Sequence, residues 1–145
     1  MIAIIDYGMG NLRSVQKAFE KSGGRAVITQ NALALAGAER LVLPGVGALA
    51  PAMEKLARLN LITPIREAIA GGKPFLGICL GLQLLFGESE EGGRGLGVIL
   101  GEVKRLVAMK VPHIGWNQLE IKNPSCPLWE GIPGGTNVYF CHSYY

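Results

Sequence analysis

A chain of 145 residues with 49% hydrophobic and 17% charged content and a net charge of +3 suits one soluble globular domain able to bury about two-thirds of its unfolded surface. Basic residues interleaved with acids argue against a nucleic-acid surface, and the longest apolar stretch is too short and interrupted to span a bilayer. The cysteines Cys79, Cys126 and Cys141 form no C-x-x-C pair and are odd in number, against a disulfide framework or a zinc site, while the opening Met1-Ile2-Ala3-Ile4-Ile5-Asp6 lacks the basic region of a signal peptide, so the cytoplasm is expected.

Ile2 to Ile5 reads as a buried strand, and Leu12, Val15 and Phe19 recur at helical spacing before Gly23-Gly24 ends the helix. Between them, Asp6-Tyr7-Gly8-Met9-Gly10-Asn11 lacks the third glycine of a dinucleotide fingerprint, since Arg13 stands there. A tight strand-to-helix turn with Asn11 as N-cap accounts for most of it. Ala26 to Thr29 and Leu41 to Leu43 are the next strands. Pro44-Gly45-Val46-Gly47 follows, either an ordinary turn or a loop whose glycines let a backbone N–H point inward at an oxyanion. Helices through Met53, Leu56 and Leu59 and from Ile62 to Ala70 lead to a strand at Phe75 to Cys79. This βαβ alternation predicts a mainly parallel sheet with helices on both faces and a site at the carboxyl ends of the strands. After Gly101, segments 102–107, 119–121 and 137–141 read as strands without strong helices between them, an antiparallel or hairpin extension.

Gly77-Ile78-Cys79-Leu80-Gly81 is the cysteine version of a nucleophile elbow: glycines two residues either side of the nucleophile remove side chains that would clash in a sharp turn. A helix starting at Leu80 aims free N–H groups and its dipole at the sulfur, favouring thiolate and offering donors to an oxyanion. The same spacing also suits a core cysteine beside glycines required for close strand–helix packing.

Six motifs occur in one order: the segment 6–15, Pro44-Gly45-Val46-Gly47-Ala48, the elbow extended to Phe86, Glu88-Ser89-Glu90-Glu91-Gly92, Pro112-His113-Ile114-Gly115-Trp116-Asn117, and Tyr139-Phe140-Cys141-His142-Ser143-Tyr144-Tyr145. Together they resemble the glutaminase subunits of imidazole glycerol phosphate synthase, a branch of the class I glutamine amidotransferases. The resemblance covers 1–145 and implies one amidotransferase domain of flavodoxin-like fold, with glutamine as substrate and no cofactor or metal. It implies that Cys79 attacks the carboxamide carbon to give a γ-glutamyl thioester. The N–H groups of Leu80 and, after a loop rearrangement, Val46 would hold the oxyanion. Gly47, Gln83 and Glu91 match the glutamine pocket, and the backbone of Ser143 and Tyr144 matches a strand that holds the substrate's amino-acid end. By spacing alone, an acid such as Glu91 in a Gly-rich loop is more often solvated. Asn11, Trp116 and Tyr139 match a docking surface for a cyclase subunit, a (β/α)₈ barrel bound as a heterodimer that takes up the ammonia. Trp116 equally suits a core aromatic.

The family pairs its cysteine with a histidine and glutamate in a His-Pro-Glu motif. Neither His113 nor His142 begins an H-x-E here, so the expectation is a chain lacking the C-terminal part of the family domain and inactive or very weak as it stands. His142 matches a family position outside the triad and suits packing or hydrogen bonding at a strand end. Two other readings stay open, a base-less module that only docks the cyclase and a cysteine enzyme of the DJ-1 and PfpI kind. Leu80 stands where the latter group commonly carries histidine.

Overall fold

Alternation along the first strand decides the architecture. In β1 (Ile2–Ile5) all four residues are buried, Ala3 and Ile5 in one apolar layer and Ile2 and Ile4 in another, as the period-2 pleat requires of a strand covered on both faces. The computed structural model describes residues 1–145, which form two units, Met1–Lys104 and Arg105–Tyr145.

In the first unit β1, β2 (Ala26–Thr29), β3 (Arg40–Gly45) and β4 (Phe75–Cys79) make an all-parallel sheet in the order β2-β1-β3-β4. Helix α1 (Leu12–Lys21) packs Leu12, Val15 and Phe19 against Ile2, Ile4 and Val42. Opposite, Leu35 of α2 (Ala32–Gly37), Leu49, Ala52 and Leu56 of α3 (Leu49–Arg58) and Ile65 of α4 (Ile62–Ala70) close over Ala3, Ile5, Leu41 and Leu43. Each fully buried Leu or Ile contributes about 1.5–3 kcal/mol, so this thicker layer supplies most of the unit's cohesion. The expected parallel sheet with helices on both faces is the observed one.

Three local departures have physical causes. Helix α2 was not anticipated, because six residues are too short for periodicity to register. It is held by Asn31 Oδ1, which accepts the N–H groups of Leu33 and Ala34 at 2.8 and 3.3 Å, and by Lys73 Nζ, which donates to the carbonyls of Leu35 and Ala36. The helix after the elbow, α5 (Leu80–Gln83), lasts one turn. The Leu84 and Leu85 carbonyls are taken by N–H groups of Leu96, Val98 and Ile99 at 2.7–3.0 Å, which leaves them no helical continuation. The chain passes instead into β5 (Phe86–Ser89), paired in parallel with β6 (Ile99–Val103), so the strand expected at 102–107 starts and ends earlier.

The second unit is an antiparallel hairpin of β7 (His113–Gln118) and β8 (Asn137–His142) with six opposed pairs, and a 3₁₀ turn at Pro127–Trp129 lies in its loop. The strand expected at 119–121 is displaced. Leu119 only closes the ladder, donating to Thr136 O and accepting from Gly135 N–H at 2.9 Å each. Cross-strand pairing of His113 to Gln118 outweighed the short apolar alternation that follows.

Candidate active site

Strand β4 ends on Cys79, whose backbone takes φ 56°, ψ −117°. Asn60 is the only other non-glycine residue with positive φ. Such a conformation costs about 1–3 kcal/mol and persists where the surroundings over-determine it. Here they do so through direct backbone contact. A Cβ on Gly81 would stand 1.6 Å from the Leu43 carbonyl oxygen, and one on Gly77 would stand 2.6 Å from Leu82 Cα. The glycines of the motif therefore let the first turn of α5 lie directly on β3 and β4. The thiol is exposed, which removes the core-cysteine reading.

The loop after β3 starts beside Cys79, because the β3–β4 register pairs Gly45 with Cys79. Val46 is 55% exposed, and Gly47 has φ +91°, with Met9 Cε 3.0 Å from where its Cβ would be. Leu80 opens α5 with a buried side chain, and first-turn amides have no intrahelical partner. Gln83 is the last residue of that turn and is half-buried.

Glu91 is part-buried rather than freely solvated. Its Oε2 accepts the Leu49 N–H at 2.9 Å and so caps α3, whose own N-cap Ala48 makes no side-chain cap bond. A carboxylate at that helix start is favoured by the dipole as well. Asn11 caps α1 as expected, its Oδ1 accepting Ser14 N–H at 3.3 Å.

Tyr7 lies in the segment where the sequence predicts only a strand-to-helix turn. The signal was there: Ala3, Ile5 and Tyr7 continue one face of β1. The side chain is 1% exposed, its Oη has no hydrogen-bond partner, and the Cβ position that Gly45 leaves empty lies 2.6 Å from that oxygen. Burial, and secondarily the negative charge Cys79 can carry, push its ionisation up to about 12.

In the hairpin unit, Ser143 O accepts Leu106 N–H at 2.8 Å, and Tyr144 pairs with Arg105 in an antiparallel bridge. Both therefore present a fixed backbone. His142 Nδ1 lies 2.8 Å from Tyr144 O and His113 Nδ1 lies 3.2 Å from His142 Nε2. A carbonyl only accepts, so His142 carries its proton on Nδ1 and, when neutral, accepts from His113 through Nε2. Both histidines are thus spent on each other at the strand end, as the sequence suggested for His142. Trp116 and Tyr139 are opposed across the ladder, edge to face at 5.6 Å and 76°. At 72% and 58% exposure, they form a surface pair and not a core.

A family model described as glutamine amidotransferase class-I matches residues 3–145. The chain is 52% identical over 155 residues to the imidazole glycerol phosphate synthase subunit HisH of Syntrophotalea carbinolica, covering all of this chain and 75% of that protein. It is 56% identical over 147 residues to the subunit of the same name from Moorella thermoacetica, covering 99% of this chain and 70% of that one. Among solved structures, one described as a crystal structure of glutamine amidotransferase superposes with a TM-score of 0.78 at 20% identity, covering 99% of this chain and 72% of that one.

Proposed function

Since the chain belongs to the class-I glutamine amidotransferase family, we propose that it is the glutaminase subunit of an imidazole glycerol phosphate synthase. In this reading it works in the cytoplasm as a heterodimer with a (β/α)₈ cyclase, and both units together make up one amidotransferase domain. The Cys79 thiolate attacks the carboxamide carbon of glutamine, and the carbonyl π electrons move onto oxygen. The N–H groups of Leu80 and Val46 hold that oxyanion. Its collapse breaks the C–N bond, and the nitrogen leaves as ammonia once protonated, so a γ-glutamyl thioester remains. Water then cleaves the thioester to glutamate and restores the thiol. Gly47 and Gln83 line the glutamine pocket, and Glu91 faces the substrate ammonium with the carboxylate oxygen that does not cap α3. Asn11, Trp116 and Tyr139 dock the cyclase.

The observation that carries this reading is the exposed sulfur on a positive-φ turn, directly across the ladder from the Gly45–Gly47 loop. With both histidines bonded to one another, residues 1–145 supply no evident base for turnover. The pairing of the two histidines favours a second reading, a module that docks the cyclase without hydrolysing glutamine. A glutamine analogue that alkylates thiols separates the two. The glutaminase reading expects modification at Cys79 that glutamine prevents, and docking without labelling supports the module. In the complex with cyclase, Cys79→Ala is expected to abolish synthesis from glutamine and leave synthesis from free ammonia intact. A folded complex that loses both activities would contradict the assignment.

A further inference from the structure

The β1–β3 register pairs Ala3 with Leu41 and Ile4 with Val42. Carried two residues past the end of β1, it sets Tyr7 beside Gly45, which itself pairs with Cys79. Tyr7, Gly45 and Cys79 thus form one lateral row across three strands, and in a parallel sheet such a row shares a face. The middle member has no side chain. The Tyr7 hydroxyl fills that gap, 2.6 Å from the Gly45 Cβ position, where Gly81 N and Leu80 Cβ also converge at 2.9 Å. Parallel strands lie about 4.8 Å apart, so the hydroxyl stands roughly one strand spacing from the nucleophile's place in the row.

We propose that Tyr7 is a positioning residue for the Cys79 sulfur: its buried hydroxyl, reaching across the gap at Gly45, donates a hydrogen bond to the sulfur once that sulfur carries charge. The proposal rests on Cys79 being the nucleophile. A buried hydroxyl bonded to nothing, on a residue 1% exposed, violates the near-universal pairing of buried polar groups, and such an exception calls for a function. A charged sulfur is the acceptor it lacks. Competing charges on the neighbouring elements are engaged elsewhere. Asp6 accepts from Gly8 N–H and from Gln30, Lys55 of α3 donates to the Gly8 carbonyl, and Glu91 caps α3. Neither β3 beyond Arg40 nor α5 carries an ionisable side chain. The influence of Cys79 on Tyr7 ionisation agrees with this proximity.

The test compares the chain with its Tyr7→Phe variant, following iodoacetamide alkylation of Cys79 by peptide mass spectrometry across a pH series. Phenylalanine keeps the ring and removes only the donor. The expected result is alkylation about tenfold slower at neutral pH, equivalent to one unit of pH, with the two rates converging at strongly alkaline pH, where the thiol is charged in both. Superimposable profiles would overturn the proposal, as would a constant slowing at every pH, which reports obstruction rather than charge. A parent Cys79 no faster than free cysteine would instead refute the nucleophile reading beneath it. Should Tyr7→Phe fail to fold, ¹³C-labelled tyrosine in the parent and in Cys79→Ser serves. The Tyr7 Cζ resonance is expected to move as the thiol ionises in the parent alone, and identical titrations would reject the contact.

Discussion

The residue that most changes the picture of the site is one with no bond at all. An orphaned buried hydroxyl costs about 1–3 kcal/mol, so Tyr7→Phe is expected to leave stability unchanged or raise it while altering Cys79. The phenol also makes stability depend on alkaline pH. Its ionisation is raised from 10.0 to about 12 in the folded chain, so the folded state holds the proton more tightly than the unfolded one. That advantage is fully present below pH 10 and is lost as pH rises towards 12, by roughly 2 kcal/mol at 1.36 kcal/mol per unit. Equilibrium denaturation between those limits should show the parent losing stability more steeply than Tyr7→Phe, and parallel losses would count against a buried phenol.

At the scale of elements, the elbow and the parallel strands could be read directly from the chain, because both are written in nearest-neighbour pattern: glycines at fixed offsets from Cys79, and apolar runs at Ile2, Leu41 and Phe75. What escaped is settled by partners distant in sequence. Helix α2 depends on Lys73, 37 residues from Ala36, the start of α3 depends on Glu91, 42 residues from Leu49, and α5 stops because Leu96, Val98 and Ile99 claim the carbonyls of Leu84 and Leu85 just after it. The position of β7 likewise follows from its ladder with β8 rather than from its own propensity. That ladder displays Trp116 against Tyr139, a cross-strand pair worth about 0.2–1 kcal/mol. Trp116→Ala should therefore destabilise the hairpin only slightly. Its affinity for cyclase, measured by calorimetry, is expected to fall at least tenfold, as for an exposed aromatic anchor. Unchanged affinity would remove Trp116 from the proposed docking surface.

Across the whole molecule, burial is distributed unevenly. Every buried hydrophobic residue lies between Ile2 and Val103, and Arg105–Tyr145 is held by its ladder and half-buried rings. Amide hydrogen exchange is accordingly expected to be slowest in β1 and β3 and markedly faster in β7 and β8, since local opening is easiest where few apolar contacts must be broken. Equal protection of both units would show that the hairpin draws stability from more than its own pairs. No helix is long and apolar enough to cross a membrane. The close seating of Gly81 on the Leu43 carbonyl bears on how the catalytic cycle can move. Two main chains meet there with nothing compressible between them, so the sulfur's perch has no give. In the proposed reaction at Cys79, whatever shifts as an amide arrives and ammonia departs is expected across the row, in residues 45–48.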